Sequence, residues 1–242
     1  MKKSFLLTAI AAVAVSFSAF SQTADEIIAK HLEVRGGADK LKGITSLVQE
    51  NSLSVQGMDI PVKISTLTGK GYRFELEVMG NQMVTVLDGD KGWLVVPSMM
   101  GGSGSPEDMP ADQLKGAKSQ LDPTNGLLSY KEAGTTIELV GKEKVNGADA
   151  FNLKITTKDN ASSNLYIDAT TYLISKTVAT VTQAGQTFSQ EMFMSNYKDV
   201  NGIKFAHTVE MTSPMGGTMT MNTNKVTVNG PVDEAIFKKP AK

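Results

Sequence analysis

Asn164–Val228 reads NLYIDATTYLISKTVATVTQAGQTFSQEMFMSNYKDVNGIKFAHTVEMTSPMGGTMTMNTNKVTV. Runs of β-forming residues are parted by short breaks at Asp168-Ala169-Thr170-Thr171, Ala184-Gly185, Lys198–Gly202 and Pro214–Gly217. Ile203, Phe205, His207, Val209 and Met211 alternate with Lys204, Ala206, Thr208 and Glu210, the period of a strand apolar on one face and wet on the other. Breaks this short hold no crossover helix, so neighbouring strands run antiparallel as a meander.

The same rhythm extends upstream. Val62/Ile64 and Tyr72/Phe74/Leu76/Val78 alternate with Lys63, Arg73, Glu75 and Glu77, between hairpin-sized breaks at Gln56-Gly57, Gly69-Lys70-Gly71, Gly80-Asn81 and Asp88–Gly92. Trp93–Val96 is a short strand ended by Pro97, and Phe151/Leu153/Ile155 alternate with Asn152 and Lys154. Ile236-Phe237 closes the chain and is expected to tuck onto the sheet.

Helical text is sparse. Thr23-Ala24-Asp25-Glu26 fits a capping box for a helix through Ile27, Ile28 and Leu32, stopped by Gly36-Gly37. A second turn follows over Ala38–Lys42. Mid-chain, Met99-Met100-Gly101-Gly102-Ser103-Gly104-Ser105-Pro106 is flexible by composition. Glu107–Leu121 is weakly helical, and Asp122-Pro123-Thr124-Asn125 opens a further short helix through Leu128. This insertion is either a lid over one sheet face or a surface excursion.

Lys2-Lys3, the apolar run Phe5–Val15 and Ala19-Phe20-Ser21 read as an export signal, cleaved near Ser21/Gln22. The apolar run is short for a bilayer crossing, which needs about 20 residues. The expected product is one soluble exported domain over 22–242. Losing Lys2 and Lys3 leaves 24 − 2 = 22 basic against 25 acidic residues, with no basic stripe for nucleic acid. Cysteine is absent, so disulfides, thiol chemistry and a cysteine-linked lipid anchor are excluded.

Chemistry is hard to find. The two histidines, His31 and His207, have no partner at metal-ligand spacing, and His207 on an apolar face reads as a core residue. Asp88-Gly89-Asp90-Lys91-Gly92 starts like a calcium loop but lacks the later acidic ligand, so a hairpin turn explains it. Ser103 and Ser105 match no nucleophile elbow, and no acid/base carboxylate pair stands out. No metal, cofactor or enzymatic activity is expected. Methionine does stand out, in the groups Met99/Met100, Met192/Met194, Met211/Met215 and Met219/Met221. Such side chains suit either an adaptable apolar surface or plain core filling. An antiparallel sheet this wide curls, and helices covering only its open side leave room for an alkyl chain, each buried methylene contributing about 0.8 kcal/mol.

Several stretches resemble the LolA/LolB-type periplasmic lipoprotein-carrier superfamily, in particular the LolA-like proteins of Bacteroidetes. They are Gly36-Gly37 before Lys40-Leu41-Lys42, Lys70–Glu75, Asp88-Gly89 before Trp93, Asp122-Pro123, Val140–Gly147, Tyr166-Ile167-Asp168 with Tyr172–Lys176, and Asn196-Tyr197 with Asn201–Phe205. The resemblance implies an α+β fold: a strongly curved antiparallel sheet, an unclosed β-barrel, with an N-terminal helix and a mid-chain helical lid over a hydrophobic cavity. It implies a monomeric periplasmic carrier without covalent chemistry. Its cargo would be an acylated lipoprotein or lipid, received from an inner-membrane transporter and passed to an outer-membrane acceptor. In such carriers an arginine on an early strand latches the lid; Arg73 lies in the matching stretch, though alternation turns it outward.

The ligand-binding candidates are Ile60, Val62, Ile64, Tyr72, Phe74, Leu76, Phe151, Leu153, Ile155, Phe205 and Val209 on the inner face. Trp93, Met99 and Met100 are expected near the rim or lid. The alternative is a cell-envelope scaffold or sensing domain whose sheet face is a filled core.

Overall fold

A computed structural model describes residues 22–183, 186–212 and 217–240. The expected export signal, the break at Ala184-Gly185 and most of Pro214–Gly217 lie outside the described residues.

Helix α1 (Ala24–Arg35) begins at the expected capping box: Thr23 Oγ1 accepts from the Glu26 amide at 3.2 Å, and the Glu26 carboxylate accepts from the Thr23 amide at 2.8 Å. It ends at Gly36, whose φ is 140° and where a Cβ would stand 2.5 Å from the Gly202 carbonyl oxygen. Only glycine allows that approach. The one-turn helix α2 (Ala38–Lys42) follows.

The strands are β1 (Ser46–Val55), β2 (Met58–Leu67), β3 (Gly71–Val78), β4 (Asn81–Asp88), β5 (Lys91–Val95), β6 (Glu107–Asp108), β7 (Thr136–Val145), β8 (Ala148–Thr156), β9 (Ser162–Asp168), β10 (Ile174–Gln183), β11 (Gln186–Val200), β12 (Ile203–Thr212) and β13 (Thr218–Val228). Among the described residues these 13 strands form one sheet, ordered β6-β5-β4-β3-β2-β1-β13-β12-β11-β10-β9-β8-β7, and β1 and β13 pair antiparallel. Two meanders are thereby joined at their first and last strands. The outer edges, β6 and β7, do not pair, so the barrel stays unclosed.

Contacts of α1 show how strongly the sheet bends. This helix touches both β12 and β7, which lie five strand spacings apart, about 24 Å along a flat sheet. A helix is only about 10–12 Å across, so the sheet wraps around it and α1 lies on the concave side. Ile27 and Ile28 pack there with Phe151, Leu153, Leu165 and Ile167.

The insertion between β6 and β7 spans the gap between the sheet edges. Its helix α3 (Ala111–Ala117) places Leu114 over Gly92 of β5, while Lys115 pairs with Asp159 of the β8–β9 turn at 3.1 Å. Two expectations are corrected here. Glu107-Asp108 pairs with β5 as a strand instead of entering the helix. Residues 122–128 form turns, because the Asp122 carboxylate accepts from Thr124 and Gly126 amides at 2.7 and 2.9 Å, a local alternative to helical bonding. Nor is this part a loose excursion: Leu127 is buried against α1, and the Gly69 amide donates to the Leu121 carbonyl at 2.9 Å.

The C-terminal segment tucks back as expected, onto the convex face. Phe237 is buried with Val84, Val86 and Trp93, and its ring occupies the space a side chain at Gly71 would need. Trp93 Nε1 donates to the Phe237 carbonyl at 2.9 Å, and Arg73 donates to the Ile236 carbonyl at 3.1 Å. Replacing Phe237 by alanine should cost about 3–5 kcal/mol and red-shift the emission of Trp93, the sole tryptophan. Urea unfolding followed by fluorescence measures both; an unchanged midpoint would show that the segment only rests on the sheet.

Candidate functional site

Strand register sorts the sequence-derived candidates by face. On β1–β3 the partners are Thr66↔Tyr72, Ile64↔Phe74 and Val62↔Leu76, continuing to Asn51↔Val62 and Leu53↔Ile60. In the other meander Phe151↔Ile167 and Leu153↔Leu165 carry the side chains that meet α1. Phe205 joins Leu41, Ile44 and Leu47 under the helices. Ile60, Val62, Ile64, Tyr72, Phe74, Leu76, Phe151, Leu153, Ile155, Phe205 and Val209 therefore share the concave face.

Trp93 does not. It pairs with Val86, which pairs with Arg73, so all three are convex, and Trp93 is buried at 5% exposure under the C-terminal segment. The expected rim position fails because Gly92 and Leu94 are the concave residues of this short strand. Arg73 points outward as alternation predicts. It pairs with Glu75 at 2.7 Å and lies over the Trp93 ring at 5.7 Å, so it fastens the C-terminal segment and not the insertion. Met99 and Met100 form an exposed 3-10 turn after β5, at the same end as the β3–β4 hairpin.

The concave face divides in two. One part is packed solid by α1, α2 and the insertion, through Ile27, Leu41, Leu127 and the strand residues beneath them. On the other part Leu53, Ile60, Ile64, Phe74, Leu76, Met83 and Leu94 are only half-buried and belong to none of the packed clusters. Methionines continue this lining across β11–β13. Met192↔Met211 and Met211↔Met219 are directly opposed, and the next row runs Met194↔Val209↔Met221↔Leu53↔Ile60. Met83, Met192, Met194, Met219 and Met221 were not among the sequence candidates. Period-two reading would have caught each one, but which rows stay uncovered depends on the helices.

Ionisable groups cluster beneath α1. His31 is fully buried, with Nδ1 2.8 Å from the Tyr172 carbonyl and Nε2 sealed without a partner. Burial, helped by the charge of Arg35, holds its pKa down to about 4 despite the carbonyl bond. Burial also lowers the Arg35 value, opposed by Tyr197 and Asp122. Tyr197, donating to the Ile174 carbonyl at 2.9 Å, is pushed up to about 12 by burial, and burial does the same to Tyr72. Among the described residues no group of three or more His, Cys, Asp or Glu could hold a metal ion.

A cleft of about 630 Å³ opens on the convex face, bordered by Lys63, Arg73, Glu75, Gln82 and the C-terminal segment. The guanidinium there is already neutralised by Glu75, whereas the half-buried part of the concave lining belongs to no packed cluster of the described residues. The concave lining is therefore the candidate site.

Because unfolded histidine titrates near 6.5 and folded His31 near 4, the unfolded chain binds the proton first as pH falls. His31 should therefore withdraw up to about 3 kcal/mol of stability between pH 6.5 and 4, and no more below that. The difference in urea stability between the parent and His31→Phe across this window measures it; parallel curves would refute the assignment.

A family model described only as an uncharacterized protein matches residues 76–241. No curated protein matches the chain. Among solved structures, a LolA superfamily protein from Nitrosomonas europaea aligns with TM-score 0.57 at 14% identity, over 90% of this chain and 99% of that one. A domain named for outer membrane lipoprotein sorting, from Vibrio parahaemolyticus, aligns with TM-score 0.56 at 16% identity, over 89% and 96%. A protein from Desulfovibrio piger, of a family named only as a domain of unknown function, aligns with TM-score 0.53 at 12% identity, over 90% and 98%. The fold is thus that of the LolA superfamily.

Proposed function

Since the chain belongs to the uncharacterized-protein family whose model covers residues 76–241, and folds as LolA superfamily proteins do, we propose that it is a lipid carrier of the bacterial periplasm. Its cargo is the acyl chains of lipoproteins or of other lipids, held against the concave face and passed from an inner-membrane transporter to an outer-membrane acceptor. The observation that carries this reading is the half-buried lining of Leu53, Ile60, Phe74, Leu76 and the paired methionines, apolar surface that lies outside every packed cluster of the described residues. Removing such area from water favours binding at about 25 cal/mol per Å². Methionine accommodates chains of differing shape because its side chain is unbranched and polarizable. Lipoprotein sorting, named for the Vibrio parahaemolyticus relative, is the transfer step this lining would serve. The carrier performs no covalent chemistry.

One observation favours a scaffold or sensing domain instead: α1, α2 and the insertion already fill the other part of the concave face. Native mass spectrometry of the exported protein, purified without detergent, separates the two readings. A carrier shows added mass matching a lipid or acyl chain. Leu76→Glu, placing a charge in the half-buried lining, should abolish that mass while the protein stays folded. A parent without added mass after incubation with membranes, together with unfolding of Leu76→Glu, would favour the filled-core reading.

A further inference from the structure

Between the packed and the open parts of the concave face runs one polar row. His207, Thr223 and Asn51 are 6%, 7% and 3% exposed. They stand side by side on β12, β13 and β1, because Thr208 faces Asn222 and Asn51 faces Thr223. Two of the three are satisfied internally. Thr223 Oγ1 donates to Asn51 Oδ1 at 2.8 Å, and the Asn51 amide group turns to the Gln49 and Val62 carbonyls at 3.4 and 3.5 Å.

His207 is different. Its Nδ1 lies 3.0 Å from the carbonyl of Phe205 on its own strand. A carbonyl only accepts, so Nδ1 carries the hydrogen, and an imidazole protonated there presents Nε2 as an acceptor. No described residue donates to this atom, which lies across the ring from Phe205. Unlike His31 Nε2 it is not sealed off, and the adjoining row on its face is Met194, Val209 and Met221. Water can match this open acceptor, but cargo that covers it without offering a donor leaves it unmatched, which is costly.

We propose that His207 Nε2 is a hydrogen-bond anchor for cargo, and that the preferred cargo carries an O–H or N–H donor at the head of its alkyl chain. This rests on the carrier reading and narrows its substrate class: alcohols and secondary amides are preferred over ethers and tertiary amides of equal length. Thr223 and Asn51 hold each other and leave the choice to His207. The sequence reading of His207 as a satisfied core residue accounts for Nδ1 and leaves Nε2 unexplained.

Displacement of a fluorescent apolar probe by matched pairs tests the anchor. Dodecan-1-ol is compared with 1-methoxydodecane, and N-methyldodecanamide with N,N-dimethyldodecanamide. The parent should bind the donor-bearing member of at least one pair about fivefold more tightly, the ratio expected of one hydrogen bond. Which pair discriminates tells a hydroxyl from an amide source. His207→Phe, or His207→Met if the aromatic variant does not fold, should erase the ratio. Equal binding within both pairs by the parent, or a ratio that survives loss of the imidazole, overturns the anchor alone. Binding of none of the four compounds overturns the carrier reading with it.

Discussion

The pairing of β1 with β13 is the contact on which the architecture depends. It joins Leu47 to Val228 and Ser54 to Thr220, residues from nearly opposite ends of the described chain, and turns two local meanders into one sheet. Every other strand pair forms between chain neighbours, through hairpins or short connections, at small entropic cost. This one must close nearly the whole chain, which costs more and slows folding. Side chains specify it as well as backbone. The Thr223–Asn51 bond lies buried across the pair, and Asn229, in a left-handed conformation at φ 56°, accepts from the Thr45 amide at 2.8 Å and donates to the Gly43 carbonyl at 2.9 Å. A one-residue slip would turn the apolar rows to the convex face, so these polar contacts hold the interior where it is.

Curvature follows from joining so many strands, and it sets the supply of apolar surface against the supply of cover. Helices α1 and α2 together with the insertion suffice for the residues around Phe151, Leu153, Ile203 and Phe205. They do not reach the hairpin ends of β1–β4 and β11–β13, where the methionine rows lie. On the convex side, by contrast, Phe237 and Ile236 cover Val84, Val86 and Trp93, and Arg73 binds the covering backbone. The two faces of the same strands thus meet different fates. A short C-terminal segment completes one, and the other is covered only in part.

Much of this was legible from residue order. Period two located the strands, glycine and asparagine located the turns, and Thr23 with Glu26 located the first helix, because all of these are determined by neighbours a few residues apart. The inward parity of Ile60, Val62, Phe74, Leu76, Phe205 and Val209 followed for the same reason. Trp93 was misread because β5 is short. Its neighbours Gly92 and Leu94 offer little apolar contrast, and its cover, Phe237, is 144 residues further on. The segment 122–128 was misread because helical propensity could not reveal that the Asp122 carboxylate would take up the local amides.

By itself, then, the sequence determined which residues share a face, where the chain turns, and how α1 begins and ends, since each depends on local sterics and hydrogen bonding. Tertiary structure alone decided which part of the concave face is covered. It decided too that Arg73 serves the C-terminal segment, and that His207 stands beside Thr223 and Asn51 with no donor to its Nε2 among the described residues. Those outcomes depend on β1 meeting β13 and on which strands the helices can reach, and they come from contacts between residues far apart in the chain that no local pattern encodes.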